Sequence, residues 1–149
     1  MPPGAGRYRV AIDATRGTPF NLSTRNSVVW TFRSGHVDGD KRVALPLSVI
    51  RFAPKRDPHN AAPAASLFAV PVEVRPQPGS EAGRVATLAV QASFDDGRTW
   101  SKVFVMRSSS GGVTLLRHPK GSGFVSLKAA ATDTEGNTVE ETVIRAYRY

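Results

Sequence analysis

Three histidines and a few acidic loops are the groups in this sequence best suited to catalysis or metal binding. The histidines are His36, His59 and His118, and each falls in a segment that we predict to be a loop. His36 precedes Asp38 and Asp40, an arrangement that would suit a metal ion or the base and orienting acid of a hydrolase. Catalysis by such a set also requires a nucleophile within hydrogen-bond reach, which spacing along the chain does not establish. We therefore interpret the histidines as solvated loop residues and predict no catalytic residue.

A second oxygen-rich segment, Asp-Thr-Glu-Gly-Asn at residues 133–137, lies shortly before two consecutive glutamates. Calcium binds six to eight oxygen ligands, so these side chains raise the possibility of a calcium site. The glycine, however, comes too early for the order of an EF-hand loop. A hairpin turn explains the same residues, with Asp133, Gly136 and Asn137 as its structural positions. We predict the turn and expect no cofactor, with calcium as the alternative.

The most specific motif lies at residues 93–100, where the sequence is Ser-Phe-Asp-Asp-Gly-Arg-Thr-Trp. The spacing resembles the Asp-box hairpin, which recurs in sialidase-like propellers and other secreted β-proteins. The matching positions are Ser93, Asp95, Gly97, Thr99 and Trp100. The resemblance implies that the Asp95 carboxylate accepts hydrogen bonds from turn amides and that the tryptophan packs over the hairpin. We therefore predict a structural role for Asp95, and we expect Asp96 to point into solvent.

Charge and aromatic residues raise two further possibilities, binding of polyanions and binding of glycans. The formal net charge is +8, but the basic residues are scattered and do not alternate with aromatic ones, so we do not predict specific nucleic-acid binding. A row of exposed aromatic side chains would bind sugars or cell-envelope polymers by stacking. The candidates are Tyr8, Trp30, Trp100, Tyr147 and Tyr149. Each lies in or beside a predicted strand, which favours packing in the core.

The composition limits the class of protein. The chain has no cysteine, which excludes a disulfide framework and thiolate metal ligands. No apolar run approaches the length of a membrane span, and the first residues do not have the pattern of a signal peptide.

Alternating apolar and polar residues predict an all-β protein. The predicted strands are residues 7–13, 27–33, 45–52, 67–75, 85–94, 100–107, 113–116, 124–132 and 138–147. The seven strands from Leu45 onward have the rhythm of an Ig-like or fibronectin-type antiparallel β-sandwich, which we assign to residues 43–149. Residues 1–42 would form a two-strand extension or belong to an upstream sheet. We expect Pro71 to place its strand at a sheet edge or at a bulge, and we expect a bulge at Glu140 and Glu141.

Four segments, taken together, resemble a known family. They are Trp-Thr-Phe-Arg-Ser-Gly-His at 30–36, Ala-Leu-Pro-Leu-Ser-Val-Ile-Arg-Phe-Ala-Pro at 44–54, the hairpin at 93–100, and Ala-Thr-Asp-Thr-Glu-Gly-Asn-Thr at 131–138. In this order they resemble the C-terminal region of large secreted subtilisin-like serine peptidases of actinobacteria. The catalytic motifs of those enzymes, His-Gly-Thr and Gly-Thr-Ser-Met, do not occur in this chain.

The resemblance therefore implies an exported, non-catalytic accessory domain whose partner is the catalytic domain of the same parent chain. Its role would be to stabilise or space the enzyme, or to hold a protein substrate. A carbohydrate- or envelope-binding module is the alternative function.

Overall fold

The computed structural model describes residues 4–58 and 61–149, and within these residues the regular structure consists of strands alone. The ten strands are β1 (Gly6–Thr15), β2 (Arg25–Ser34), β3 (Ser48–Phe52), β4 (Leu67–Pro76), β5 (Val85–Ser93), β6 (Ser101–Val103), β7 (Val105–Ser108), β8 (Gly111–Arg117), β9 (Phe124–Asp133) and β10 (Thr138–Arg148). His59 lies outside the described residues, so its predicted loop position is not addressed.

The strands form two antiparallel sheets that pack face to face. One sheet has six strands in the order β1-β2-β10-β9-β5-β6, and the other has four in the order β3-β4-β8-β7. When the strands are counted from β3, the four-stranded sheet β3-β4-β8-β7 corresponds to the A-B-E-D sheet of an Ig-like domain. Strands β5, β9 and β10 of the other sheet correspond to its C, F and G strands. The predicted all-β sandwich is therefore confirmed.

Strict alternation of side chains builds the core between the sheets. On β4, Val70, Val72 and Val74 are buried, while Leu67 and Ala69 of the same strand are exposed. Leu127 and Ala129 on β9 are fully buried opposite them. A half-buried strand has this period of two because successive side chains point to opposite faces.

The N-terminal hairpin continues the six-stranded sheet. Strand β1 pairs with β2 along its whole length, and β2 pairs in turn with β10 from Thr31 opposite Thr138 to Arg25 opposite Ile144. Phe32 on β2 is buried. This geometry is that of an extension of the sandwich, the first of the two alternatives for these residues.

The segment predicted as one strand at residues 100–107 is instead two strands in different sheets. Strand β6 pairs with β5 in the six-stranded sheet, whereas β7 pairs with β8 in the four-stranded sheet. The chain changes sheet at Phe104, whose carbonyl accepts a hydrogen bond from the buried Thr114 hydroxyl (2.8 Å). The prediction failed because apolar residues continue across the change, so the alternation alone shows no break.

The predicted bulge in β10 is real but misplaced. Glu140 and Glu141 pair regularly with Ala130 and Ala129, and the register shift falls between Val143 and Tyr147. Arg145 lies within it at φ 56°, a backbone conformation that a bulge accommodates. The bulge brings Tyr147 into the core, where it is fully buried.

Pro71 does not mark an edge strand, because β4 lies between β3 and β8. The pairing of β3 with β4 ends at Phe52 opposite Val72. One residue further along, the ladder would need a hydrogen bond from a backbone N–H of Pro71, which proline lacks. The Pro71 carbonyl accepts the Ala53 N–H (2.9 Å) at that point. The missing N–H of proline therefore interrupts no ladder.

Candidate functional site

The hairpin between β5 and β6 is closed by the side chains of Ser93, Asp95 and Thr99. The Ser93 hydroxyl donates to Asp95 Oδ1 (2.6 Å), and Thr99 donates from its N–H to Oδ1 (2.9 Å) and from its hydroxyl to Oδ2 (2.6 Å). The Gly97 N–H donates to Ser93 Oγ (2.9 Å). Hydrogen bonds from Ser93 and Thr99 lower the pKa of Asp95 to about 2. Asp95 is therefore an ionised carboxylate whose two oxygens are engaged within the turn.

The sequence led us to expect Asp96 to point into solvent, and this expectation is wrong. Both of its oxygens accept hydrogen bonds from the Arg145 guanidinium, each at 2.8 Å, and this contact lowers the pKa of Asp96. Arg145 also lies over the Phe124 ring, with its Cζ 4.4 Å from the ring centroid. The bidentate pair joins the hairpin tip to the bulge of β10, two places 49 residues apart.

The rest of the hairpin tip packs on the same region. Gly97 has φ 82°, and an added Cβ would lie 2.8 Å from the Ile144 side chain and 3.2 Å from the Trp100 ring. Trp100 is half-buried, and Lys128 Nζ lies 4.8 Å from its ring centroid. The motif thus fixes the hairpin against β9 and β10.

Asp133 organises the turn between β9 and β10 in a similar way. Its Oδ1 accepts the N–H groups of Glu135 (2.9 Å) and Asn137 (2.8 Å). Its Oδ2 accepts from the Gly83 N–H and the Asn137 side-chain amide, both at 2.9 Å. Gly136 has φ 80°, and Asn137 Oδ1 accepts the Arg33 N–H of β2 (3.2 Å). The turn is built from donors to Asp133, and it connects β2, β9 and β10.

The two described histidines occupy different environments. His36 is exposed, and its Nε2 lies 3.4 Å from Asp38. His118 contradicts the expectation of a solvated loop residue, because it is buried. Its Nδ1 lies 2.6 Å from the Pro63 carbonyl and its Nε2 2.9 Å from the Tyr147 hydroxyl, and its ring stacks on Tyr149. A rigid polar contact inside an aromatic cluster is the role that this geometry gives to His118.

The aromatic residues considered for glycan stacking do not form one exposed row. Tyr147 is buried, and Tyr149 stacks on His118. Trp30 Nε1 donates to the Ser48 carbonyl (2.8 Å) between the sheets, and Tyr8 stacks on Phe32. Tyr147 and Tyr149 therefore pack together around His118, whereas Trp30 and Tyr8 pack elsewhere.

Two of the concavities formed by the described residues are notable for their charged side chains. A cleft of about 650 Å³ beside the Asp133 turn is lined by apolar residues together with polar and charged ones, namely Arg33, His36, Lys41, Glu81, Glu135 and Asn137. A smaller notch of about 280 Å³ lies between β10, β2 and the end of β3, and it contains Glu141. Burial raises the pKa of Glu141 to about 7, although its carboxylate accepts the Ile50 N–H. Glu141 therefore belongs to this notch, where Arg51 and Arg56 are the other ionisable residues.

The outer side of the four-stranded sheet carries several exposed or half-buried apolar residues next to one another. We call it the outer apolar face and define it as Leu67, Ala69, Pro71, Met106, Val113 and Leu115. Cross-strand pairing makes it contiguous: Ala69 lies opposite Leu115, and Val113 lies between Pro71 and Met106. Leu67, Met106 and Leu115 are 57, 59 and 41% exposed. Contiguous apolar surface of this kind marks interaction sites in soluble proteins.

Alternation along β4 predicts the strand from its inward positions Phe68, Val70 and Val72, and it does not by itself predict an apolar outer face. The available signal was that Leu67, Ala69 and Pro71, between those positions, are apolar too. A strand that is apolar on both sides predicts a second buried face.

Charged residues lie at both ends of the outer apolar face. Arg117 lies opposite Leu67 at one end, and Arg51 lies opposite Glu73 at the other. Glu73 pairs with Arg75 at 2.7 Å. The rim is therefore cationic, and an acidic rim on a partner would complement it.

Within residues 4–58 and 61–149, no helix has the length and hydrophobicity needed to cross a membrane. No group of three or more metal-binding side chains is found in the same residues. Comparison of the chain with protein-family models, with curated proteins and with solved structures gave no match.

Proposed function

We propose that this chain is a non-catalytic accessory domain of a secreted subtilisin-like serine peptidase, and that its outer apolar face docks on the catalytic domain of the parent chain. The exposure of Leu67, Met106 and Leu115 on one face carries the proposal. Complete burial of an exposed side chain of this size contributes about 1.5–3 kcal/mol, and these three are about half exposed, so each would contribute roughly half of that on docking and stabilise both domains. The resemblance in four ordered segments is the reason for proposing a subtilisin-like peptidase as the parent enzyme.

The motif residues support a structural role rather than a chemical one. Asp95 and Asp133 accept hydrogen bonds on both carboxylate oxygens from within their turns. Asp96 is paired with Arg145 and His118 with Tyr147. Side chains engaged in this way hold the sandwich in shape and present its faces in a fixed orientation.

The first experiment assays the isolated chain on casein and on fluorogenic peptides. We expect no turnover. Hydrolysis that a serine-directed active-site probe abolishes would contradict the assignment as an accessory domain. Retention of the chain on purified cell wall at moderate salt would instead favour the envelope-binding alternative.

The second experiment tests the docking face in the full-length parent protein. Leu115→Asp combined with Met106→Asp should lower the melting temperature of the catalytic domain and speed its thermal inactivation. Ala89→Asp combined with Ala130→Asp is the matched control, because these two residues are exposed and paired on the other sheet. If both double variants inactivate at the rate of the wild type, the outer apolar face is not the docking surface.

A further inference from the structure

Strand β1 leaves one edge of the six-stranded sheet open. Within residues 4–58 and 61–149 it pairs with β2 alone, it has ten residues without proline, and its residues from Arg9 to Thr15 are exposed. The backbone N–H and C=O groups on the other side are therefore available to a further strand.

The direction of these free backbone groups follows from the ladder with β2. The residue numbers of each pair in this ladder add up to forty, as for Ala11 opposite Val29. Just past the end of the ladder, in the same register, the Arg16 N–H donates to the Thr24 carbonyl (2.8 Å). In an antiparallel pair, hydrogen-bonded and non-hydrogen-bonded residues alternate. The even-numbered residues of β1 therefore bond to β2, and the odd-numbered residues direct their N–H and C=O groups to the open edge.

Two copies of β1 can pair about a two-fold axis only in registers that satisfy this alternation. Odd-numbered residues must then pair with odd-numbered residues, so the axis passes through a residue paired with itself, either an odd-numbered one in a hydrogen-bonded pair or an even-numbered one in a non-hydrogen-bonded pair. An axis at Arg9 would set two arginines opposite each other, and an axis at Asp13 would set two aspartates opposite each other. Opposite charges meet in two registers, because an axis at Val10 places Arg7 opposite Asp13 and an axis at Ala11 places Arg9 opposite Asp13. The axis at Ala11 is favoured because it pairs five outward-bonding residues of each β1, the odd-numbered ones from Arg7 to Thr15, whereas the axis at Val10 pairs only four.

The register about Ala11 also matches the remaining residues. Val10 of each copy lies opposite Ile12 of the other, and these side chains are 39 and 55% exposed in the single chain. Asp13 contacts Arg25 (3.2 Å) and Ser27 through Oδ1. Its Oδ2 is therefore the oxygen that would accept the arginine of the second copy.

We propose that β1 is a self-recognition edge, through which two copies of this chain pair antiparallel about Ala11 and join their six-stranded sheets into one. Main-chain hydrogen bonds from the odd-numbered residues supply the attraction, and the Arg9–Asp13 pairs fix the register. The outer apolar face belongs to the other sheet, so this inference is independent of the proposed docking function.

The first test uses a cysteine reporter, since the chain has no cysteine of its own. The Cα atoms of a hydrogen-bonded antiparallel pair lie about 5.5 Å apart, within the range of a disulfide. Ala11→Cys should form a covalent dimer under mild oxidation, and the native chain should show a concentration-dependent dimer in sedimentation equilibrium. Ala89→Cys is the control for random collision, because Ala89 is exposed in a strand away from this edge. Cross-linking of Ala11→Cys no faster than that of the control would overturn the proposal.

The second test exchanges the charges. Arg9→Asp sets aspartate against Asp13, and Asp13→Arg sets arginine against Arg9, so each single variant should dimerise at least tenfold more weakly. The double variant Arg9→Asp with Asp13→Arg restores opposite charges and should regain the dimer, even though it lacks the contacts of Asp13 with Arg25 and Ser27. Thermal melts show whether each variant is folded. Single variants that dimerise as strongly as the wild type, or a double variant that stays monomeric while folded, would refute the register.

Discussion

Replacing Glu141 by glutamine should stabilise the protein at alkaline pH. Glu141 lies on the inner side of β10, opposite Val28 of β2, and its carboxylate accepts the Ile50 N–H of the facing sheet. Burial disfavours the charged form and raises its pKa from 4.5 to about 7. A glutamine keeps the acceptor oxygen for Ile50 and removes the charge.

The magnitude follows from the change in pKa. At about 1.36 kcal/mol per pKa unit, a rise from 4.5 to about 7 corresponds to at most roughly 3.4 kcal/mol. The carboxyl group is only partly buried, and solvent screens part of this effect, so we expect roughly 1–2 kcal/mol. For a chain of this size the melting temperature should rise by about 2–8 °C.

The sign of the pH dependence is fixed by the same pKa. Between pH 4.5 and about 7 the folded state keeps a proton that the unfolded state has released, so stability falls as the pH rises through this window. Below pH 4.5 both states are protonated, and the Glu141→Gln variant should match the wild type. Above about pH 7 its advantage should be complete.

Thermal melts of the wild type and Glu141→Gln across this pH range measure the difference directly. Glu140→Gln is the matched control, because Glu140 is the exposed neighbour on the opposite side of the same strand. We expect it to show no comparable change with pH. A Glu141→Gln variant that melts below the wild type at pH 8 would refute the reasoning, because the carboxylate would then make a net favourable contact, for example with Arg51 or Arg56.

Three further predictions concern the hairpin tip. A double-mutant cycle on Asp96→Ala and Arg145→Ala, followed by urea unfolding, should give a coupling of about 1 kcal/mol, at the upper end for exposed pairs because the contact is bidentate; a coupling of zero would show that the pair adds nothing. Gly97→Ala should lose roughly 1–2 kcal/mol in the same assay, because its φ of 82° is unfavourable for alanine and its Cβ would meet Ile144; an unchanged midpoint would contradict the strain. The low pKa of Asp95 stabilises the fold fully above its ordinary value of 3.8, and this contribution is lost as the pH falls towards 2. Asp95→Asn should therefore flatten the acid limb of the stability–pH curve, and a limb as steep as that of the wild type would count against the turn's role.

Local pattern was sufficient to predict most strands of this fold. Alternation located β4, β5, β9 and β10 to within a few residues, because each has one face in the core. It did not reveal the change of sheet at Phe104, since both halves of that segment have an inward face. The misplaced bulge has a similar cause, because Arg145 adopts its conformation beside a partner, Asp96, that is distant in sequence.

Side-chain environments were harder to predict than strands. The sequence around His118 predicts a loop, and His118 does lie outside the regular strands. Its side chain is nevertheless buried, in contact with the Pro63 carbonyl and the Tyr147 hydroxyl. The turn positions Asp95 and Asp133 were recognisable because most of their hydrogen-bond partners lie within four residues, the Gly83 N–H that donates to Asp133 being the distant one. The outer apolar face depends on which strands become neighbours, and neighbours such as β4 and β8 are chosen by the whole fold.

The pairing of β2 with β10 has a consequence for how the chain folds. Arg33 and Asn137, joined across this ladder, are 104 residues apart. Closing so long a loop costs conformational entropy before the contacts between β2 and β10 form and offset that cost. Folding should therefore be slow for a domain of this size. The hairpin of β1 and β2 is by contrast local in sequence, so it can form before β10 pairs with β2. Until β10 arrives, both β2 and β9 present unpaired edges, and it is in this interval that the nascent chain is most exposed to aggregation.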